Sequence, residues 1–318
     1  MNALVITEDK EKYVFVPTKN ENYVPFGHFD LIKSIIDSKQ FFPLWVTGLS
    51  GNGKTEMIEQ ICANLGRDFV RVNFTTETDE NDLIGGFRLE HGNTVFHEGP
   101  VTAALKAGAI LLLDEIDVGH TNKIMCLQSV MEGKGVLIKP TGEYVTPAKG
   151  FNVIATSNTK GRGSADGRFI GTNILNGAFL DRFSGMLEQR FPEEKIENEI
   201  LARYIGSIVG KSSDKAFDKT VVATNIQSIV KWANKCREGF YQGSEQTEPV
   251  STRTLLNIIK GYAIFKDIHK SVKMACERYD DEVAEGLYSA FTKLLPEQAV
   301  ASAKTAENPD NKYVRKII

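Results

Sequence analysis

Leu44-Trp45-Val46-Thr47 runs into Gly48-Leu49-Ser50-Gly51-Asn52-Gly53-Lys54-Thr55, and these twelve residues decide the fold. The first four predict a short buried strand. The next eight satisfy the phosphate-loop spacing G-x-x-x-x-G-K-[ST]. Met57, Ile58, Ile61, Cys62 and Leu65 then recur at helical spacing, and Gly66 closes the run. A strand leading through a glycine-rich turn into a helix gathers backbone N–H groups and the positive helix end around an anion. Gly48, Ser50, Gly51, Asn52 and Gly53 would wrap the phosphates. Lys54 would reach the β- and γ-phosphates, and Thr55 would ligate Mg²⁺. A chance glycine-rich turn would not be expected between such a strand and such a helix.

Working outward, Ala109-Ile110-Leu111-Leu112-Leu113 reads as a second buried strand, and it delivers Asp114-Glu115 to its carboxyl end. That edge is where open α/β sheets bind ligands. Asp114 would hold the Mg²⁺ shell. Glu115 would orient or activate the attacking water. An acidic helix start over Asp114-Glu115-Ile116-Asp117 is the competing reading. The position about sixty residues beyond Lys54, at the end of an apolar strand, favours catalysis. A third strand, residues 151–156, is followed by Asn158, placed to position water against the γ-phosphate, although Asn also suits an ordinary turn.

The rest of the chain falls into three expected parts: an N-terminal arm over 1–27, an α/β nucleotide domain over 28–191, and a helical lid with its tail over 192–318. Tyr13–Val16 is expected to be β-like. Helices are expected near 29–39, 99–107 and 121–132, and hairpins at 87–96 and 136–146, with a glycine-rich loop at 161–171. From Pro192 the pattern is helical only, near 193–205, 221–238, 252–266, 270–277 and 281–294. Strands alternating with helices, then helices alone, give the fold class: an α/β phosphate-loop domain with a parallel sheet, followed by a smaller all-α domain.

The 318 residues are 42% apolar and 25% charged, as in globular proteins, and the net charge is −3. This balance argues against a nucleic-acid partner and against a membrane partner. No stretch reaches the length of a membrane span. Cys62, Cys126, Cys236 and Cys276 form no CxxC pair. Reduced buried thiols and the lack of a basic-then-apolar leader in Met1–Lys12 point to the cytoplasm. The five histidines are scattered and read as structural or surface residues.

Several stretches together resemble the AAA+ ATPases of the MoxR branch, and within it the CobS-like subunits of cobalt chelatase. They are 48–55, Val70–Phe74, Asp82–Gly85, Phe96–Pro100, Leu113–Glu115, Ala155–Thr159, Gly177–Phe183 and Ser251–Leu255. The likeness spans about residues 25–265. It implies an ATP-hydrolysing, Mg²⁺-dependent subunit of a ring, a hexamer by analogy, with Asn158 as sensor 1. Arg182 would be the arginine finger reaching a neighbouring subunit, with Arg162, Arg168 and Arg190 close enough in sequence to compete for that role. Arg253 would be sensor 2. The two hairpins would face a channel, with Ile84 and Phe87 as candidate pore contacts. The resemblance also implies a client protein, one with a von Willebrand factor A domain. A tetrapyrrole chelatase subunit and a nucleic-acid-associated motor are the rival readings.

Overall fold

The computed structural model describes residues 5–7, 13–163, 171–210, 214, 217–243 and 248–295. The chain divides into two compact units, Met1–Phe191 and Pro192–Ile318.

In the first unit the strands are β1 (Val5–Thr7), β2 (Leu44–Thr47), β3 (Phe69–Asn73), β4 (Gly85–Glu90), β5 (Asn93–Glu98), β6 (Ile110–Asp114), β7 (Val136–Ile138), β8 (Glu143–Val145), β9 (Asn152–Ser157) and β10 (Gly185–Glu188). Five of them form a parallel sheet in the order β10-β2-β9-β6-β3. All residues of β2, β6 and β9 are buried, and each carries an unbroken apolar stretch at its centre or start. Helices Phe29–Asp37 and Lys54–Leu65 pack with Leu44, Val46, Ile110, Leu112 and Ile154 into one apolar cluster. Trp45, Leu111, Leu113, Val153 and Ala155 belong to a second cluster, with Pro100–Ala107 and Gln128–Met131. The residues of each strand alternate between the two clusters, as the pleat requires.

The hairpins form as expected, β4 with β5 and β7 with β8, both antiparallel. Four features depart from the sequence expectations. Residues 121–132 are not one helix: a 3₁₀ turn over Met125–Leu127 separates Thr121–Ile124 from Gln128–Met131. Residues three apart eclipse in a 3₁₀ turn, and this keeps Ile124, Leu127 and Val130 all on the core side. The Tyr13–Val16 segment pairs at one point only, Phe15 with Phe69, and Phe15 and Val16 are exposed. β1 joins β5 in parallel, a pairing with no sequence signal. β10 was not expected either. It is a four-residue edge strand whose residues are only half-buried or exposed, so its sequence lacks an apolar run.

In the second unit the helices are Glu194–Val209, Lys219–Tyr241, Thr252–Phe265, Ile268–Cys276 and Asp281–Leu294. They share one core that includes Leu201, Trp232, Ile258, Tyr262 and Phe291. Glu197 and Arg237 form a bidentate ion pair inside it, and Glu197 also accepts the Thr252 hydroxyl at 2.6 Å.

Candidate active site

Gly48 leaves β2 at φ 147°, and Gly51 and Gly53 also have positive φ. A Cβ on Gly48 would sit 2.2 Å from the Gln189 carbonyl oxygen, so glycine is required where β2 turns beside β10. Asn52 is buried, and its amide donates to that same carbonyl at 2.6 Å. Its side chain therefore braces the loop, and its backbone is what remains for a phosphate. Lys54 opens its helix, and its ammonium donates to the carbonyls of Gly48 and Leu49, to Asn52 Oδ1 at 3.3 Å and to Asn158 Oδ1 at 3.5 Å. Lys54 and Asn158, 104 residues apart in sequence, thus face one another across the loop.

β6 and β9 are neighbours, so their carboxyl ends lie side by side. Thr55 Oγ1 donates to Asp114 Oδ1 at 3.0 Å, and the Thr156 hydroxyl donates to the same oxygen. A hydroxyl and a carboxylate are hard oxygen donors of the kind Mg²⁺ takes, and they stand at the head of the phosphate-loop helix. This donor set fits a Mg²⁺ site.

Glu115 follows at φ 56°, ψ 41°, a left-handed conformation that is ordinarily left to glycine. Such a residue costs on the order of 1–2 kcal/mol, and strain of this kind concentrates at functional sites. The conformation ends β6 abruptly, and the Glu115 N–H donates to Thr156 Oγ1 at 3.2 Å. The helical alternative for Asp114–Asp117 survives only as the short 3₁₀ turn Ile116–Val118.

Two participants carry no signal in the phosphate-loop pattern. Arg71 bonds Asp114 Oδ2 at 2.6 Å, Glu59 at 3.1 Å and Asn73 Oδ1 at 2.9 Å. Residues 71 and 73 alternate outward from β3, which is the pattern that could have flagged them. Burial pushes the Glu59 carboxyl up, and the Arg71 guanidinium opposes that shift. Asp117 is fully buried, and its Oδ2 accepts from the N–H groups of Asn158 and Thr159 and from the Thr159 hydroxyl. Burial raises its carboxyl, and the Thr159 and Asn158 bonds pull it back down.

Arg182 follows Asp181, the C-cap of the short helix Gly177–Leu180, and is half-buried. Its Nε meets Glu132 at 3.0 Å, and its Nη1 donates to the Ala178 carbonyl. Its carboxylate partner is therefore Glu132, not the neighbouring Asp181 or Glu188. Glu188 pairs with Lys160 at 2.7 Å. Arg168 lies outside the described residues. Arg253 belongs to the second unit, exposed on the first turn of Thr252–Phe265, whose N-cap is Ser251.

The pore expectation needs one correction. Ile84 is only 2% exposed, inside the core of the first unit, so its side chain faces no channel. Its carbonyl takes the Thr102 hydroxyl and the Gly99 N–H instead. Phe87 is 42% exposed and packs edge-on against Phe96. The most exposed apolar side chain of this hairpin is Leu89, at 77%.

A phosphate loop, a strand-end acid pair and a polar residue on the adjacent strand, arranged on a parallel sheet, define a P-loop nucleotide hydrolase. Residues 43–183 match the family model described as AAA domain (dynein-related subfamily). Protein NorQ of Paracoccus denitrificans (strain Pd 1222) is 32% identical over 215 residues, covering 67% of this chain and 71% of that protein. The aerobic cobaltochelatase subunit CobS of a Sinorhizobium species is 28% identical over 247 residues, covering 76% of this chain and 71% of that one. A Staphylococcus epidermidis protein of uncharacterized function (strain ATCC 12228 / FDA PCI 1200) is 31% identical and is covered over 80% of its length. The chain belongs to the AAA+ ATPases, in the MoxR-like branch with CobS and NorQ, and is an ATP-hydrolysing enzyme. Among the described residues no helix is long and apolar enough to cross a membrane.

Proposed function

We propose that this ATPase is Mg²⁺-dependent, works as a ring (a hexamer by analogy), and uses hydrolysis to remodel or activate a partner protein carrying a von Willebrand factor A domain. The observation that carries the reading is the convergence of Lys54, Thr55, Asp114 and Asn158 at one sheet edge, with Glu115 beside them. Mg²⁺, when bound, would supply positive charge against the phosphates. Thr55 and Asp114 would hold it. Lys54 would leave its loop carbonyls for the β- and γ-phosphates. Glu115 would take the proton of the attacking water, and Asn158 would orient that water.

Arg182 would supply its guanidinium to a neighbouring subunit's site. For that it must exchange Glu132 for phosphate oxygens, which a planar bidentate donor can do. Arg253 would contact the γ-phosphate from the helical unit. Phe87 would present the β4–β5 hairpin to the client.

The relation to a cobaltochelatase subunit keeps a tetrapyrrole chelatase role as the second reading. A shared fold does not by itself choose a client.

The test mixes Arg182→Ala with Lys54→Ala. Each alone should lose turnover, and the mixture should regain part of it, because intact sites form between one variant's loop and the other's arginine. Full activity of Arg182→Ala alone would sink the shared-site reading. Glu115→Gln, loaded with ATP, is the trap for the client. Capture of a partner without a von Willebrand factor A domain would reject that assignment.

A further inference from the structure

We infer that Asp117 is a positioning residue for ATP hydrolysis, fixing Asn158 opposite Lys54 through the main chain of residues 158 and 159. The inference rests on the reading of Asn158 as the residue that orients water.

The sheet ladder stops one residue too early to hold Asn158. Ser157 is the last residue of β9 and pairs with Thr47. Asn158 lies beyond it, where strand neighbours no longer fix the backbone. Asp117 takes over at that point. Its Oδ2 accepts from Asn158 N at 3.1 Å, from Thr159 N at 2.9 Å and from Thr159 Oγ1 at 2.9 Å.

The segment is also held from the opposite side. The Thr159 carbonyl accepts the Thr47 hydroxyl at 3.0 Å and the Ser157 hydroxyl at 2.5 Å. The backbone at 158 is clamped, while its side chain reaches the Lys54 ammonium.

A fully buried carboxylate is a costly way to tie down a turn. Removing such a charge from water costs several kcal/mol unless hydrogen bonds replace the water. Here the donors to Oδ2 all come from two consecutive residues, so the Asp117 carboxylate ties the turn after β6 to one short backbone segment beyond β9.

The same turn carries Glu115, two residues earlier, and the Glu115 N–H is tied to Thr156 in β9. The base and the water-orienting residue are therefore held in mutual register by two links from one acidic turn to one strand end. The Asp117 carbonyl accepts the Asn173 N–H at 2.7 Å, which anchors the turn from behind.

The test compares Asp117→Asn, Asp117→Ala, Asn158→Ala and the double variant Asp117→Ala/Asn158→Ala. Loss of a supporting residue of this kind lowers kcat by about 10–100-fold. Asp117→Ala should show that loss, with affinity for a fluorescent ATP analogue unchanged. Asp117→Asn keeps an oxygen acceptor and should fall between Asp117→Ala and wild type. The double variant should be no slower than Asn158→Ala, because Asp117 acts through Asn158.

Wild-type kcat in Asp117→Asn and Asp117→Ala, beside a slow Asn158→Ala, overturns the inference. So do losses that multiply in the double variant. If Asp117→Ala fails to fold, Asp117→Asn decides alone: reduced kcat at unchanged nucleotide affinity supports the inference, and unchanged kcat overturns it. Wild-type turnover of Asn158→Ala would instead remove the underlying reading of Asn158.

Discussion

Arg71 Nη2 lies 2.6 Å from Asp114 Oδ2, while the other oxygen of that carboxylate faces Thr55 and Thr156. One carboxylate is thus shared between a guanidinium and two hydroxyls, one of them Thr55 of the proposed Mg²⁺ site. Removing Arg71 leaves Asp114 nearly buried and without this cation. A divalent cation should then bind more tightly and stabilise more. We expect Arg71→Ala to melt a few degrees lower than wild type, the effect of about 1 kcal/mol. Mg²⁺ alone should recover more of the melting temperature than it adds to wild type. Equal Mg²⁺ shifts in calorimetry would show that Arg71 does not set the charge at Asp114.

Gly48→Ala tests the loop directly. The new Cβ would lie 2.2 Å from the Gln189 carbonyl oxygen and 2.6 Å from Asn52 Nδ2. Backbone does not yield at that distance, so the loop must shift and the Asn52–Gln189 bond must break. ATP affinity measured by titration calorimetry should fall by about tenfold or more, 1.4 kcal/mol per decade. Unaltered affinity would mean that the loop geometry tolerates the displacement.

Arg67 is a buried cation whose hydrogen bonds go to the carbonyls of Ile36, Gly108 and Gly150. Ile36 and Gly108 lie at helix C-terminal ends, where a cation is favoured. Arg67→Ala would strip this donor from the buried Gly108 and Gly150 carbonyls, while the Ile36 carbonyl keeps the Lys39 N–H. At about 1–3 kcal/mol for each unsatisfied group, and less than additively, the expected loss is on the order of 3 kcal/mol. Urea unfolding followed by circular dichroism gives the value. A loss under about 0.5 kcal/mol, the range of an ordinary surface change, would contradict it.

The cysteine thiols supply a pH prediction. Burial pushes Cys62, Cys126, Cys236 and Cys276 each up to about 12. An unfolded thiol ionises near about 8.5. A folded value above the unfolded one contributes stability that is complete below about 8.5 and is lost as pH rises toward 12. The urea midpoint should therefore decline between these values. At pH 8 the native thiols should react with a disulfide reagent far more slowly than in urea. Rapid reaction of the native protein would show that the thiols are not held as described.

Much of this site was legible in the sequence, for a physical reason. Lys54, Thr55, Asp114, Glu115 and Asn158 follow strands whose burial on both faces gives each an unbroken apolar run, so the polar residues beyond each run stand out. β10 and β1 have no such run, since edge pairing needs backbone and little burial. Ile84 is a pore contact by the resemblance, yet its neighbours Leu83 and Phe96 draw it into the core. Arg71 and Asp117 carry no role in the sequence reading because their partners lie 43 and 41 residues away, and only the sheet order brings those partners together.

The indole of Trp45 is fully buried, and its N–H donates to Ser157 Oγ at 2.8 Å. Its ring meets Phe183 edge-on, with centroids 4.9 Å apart. The N–H edge of this chromophore thus reaches the strand end that leads to Asn158, and its ring contacts the residue after Arg182. Its emission should change when either moves. The protein carries an intrinsic optical reporter between the two elements that nucleotide turnover would displace, readable by stopped-flow without attaching a dye.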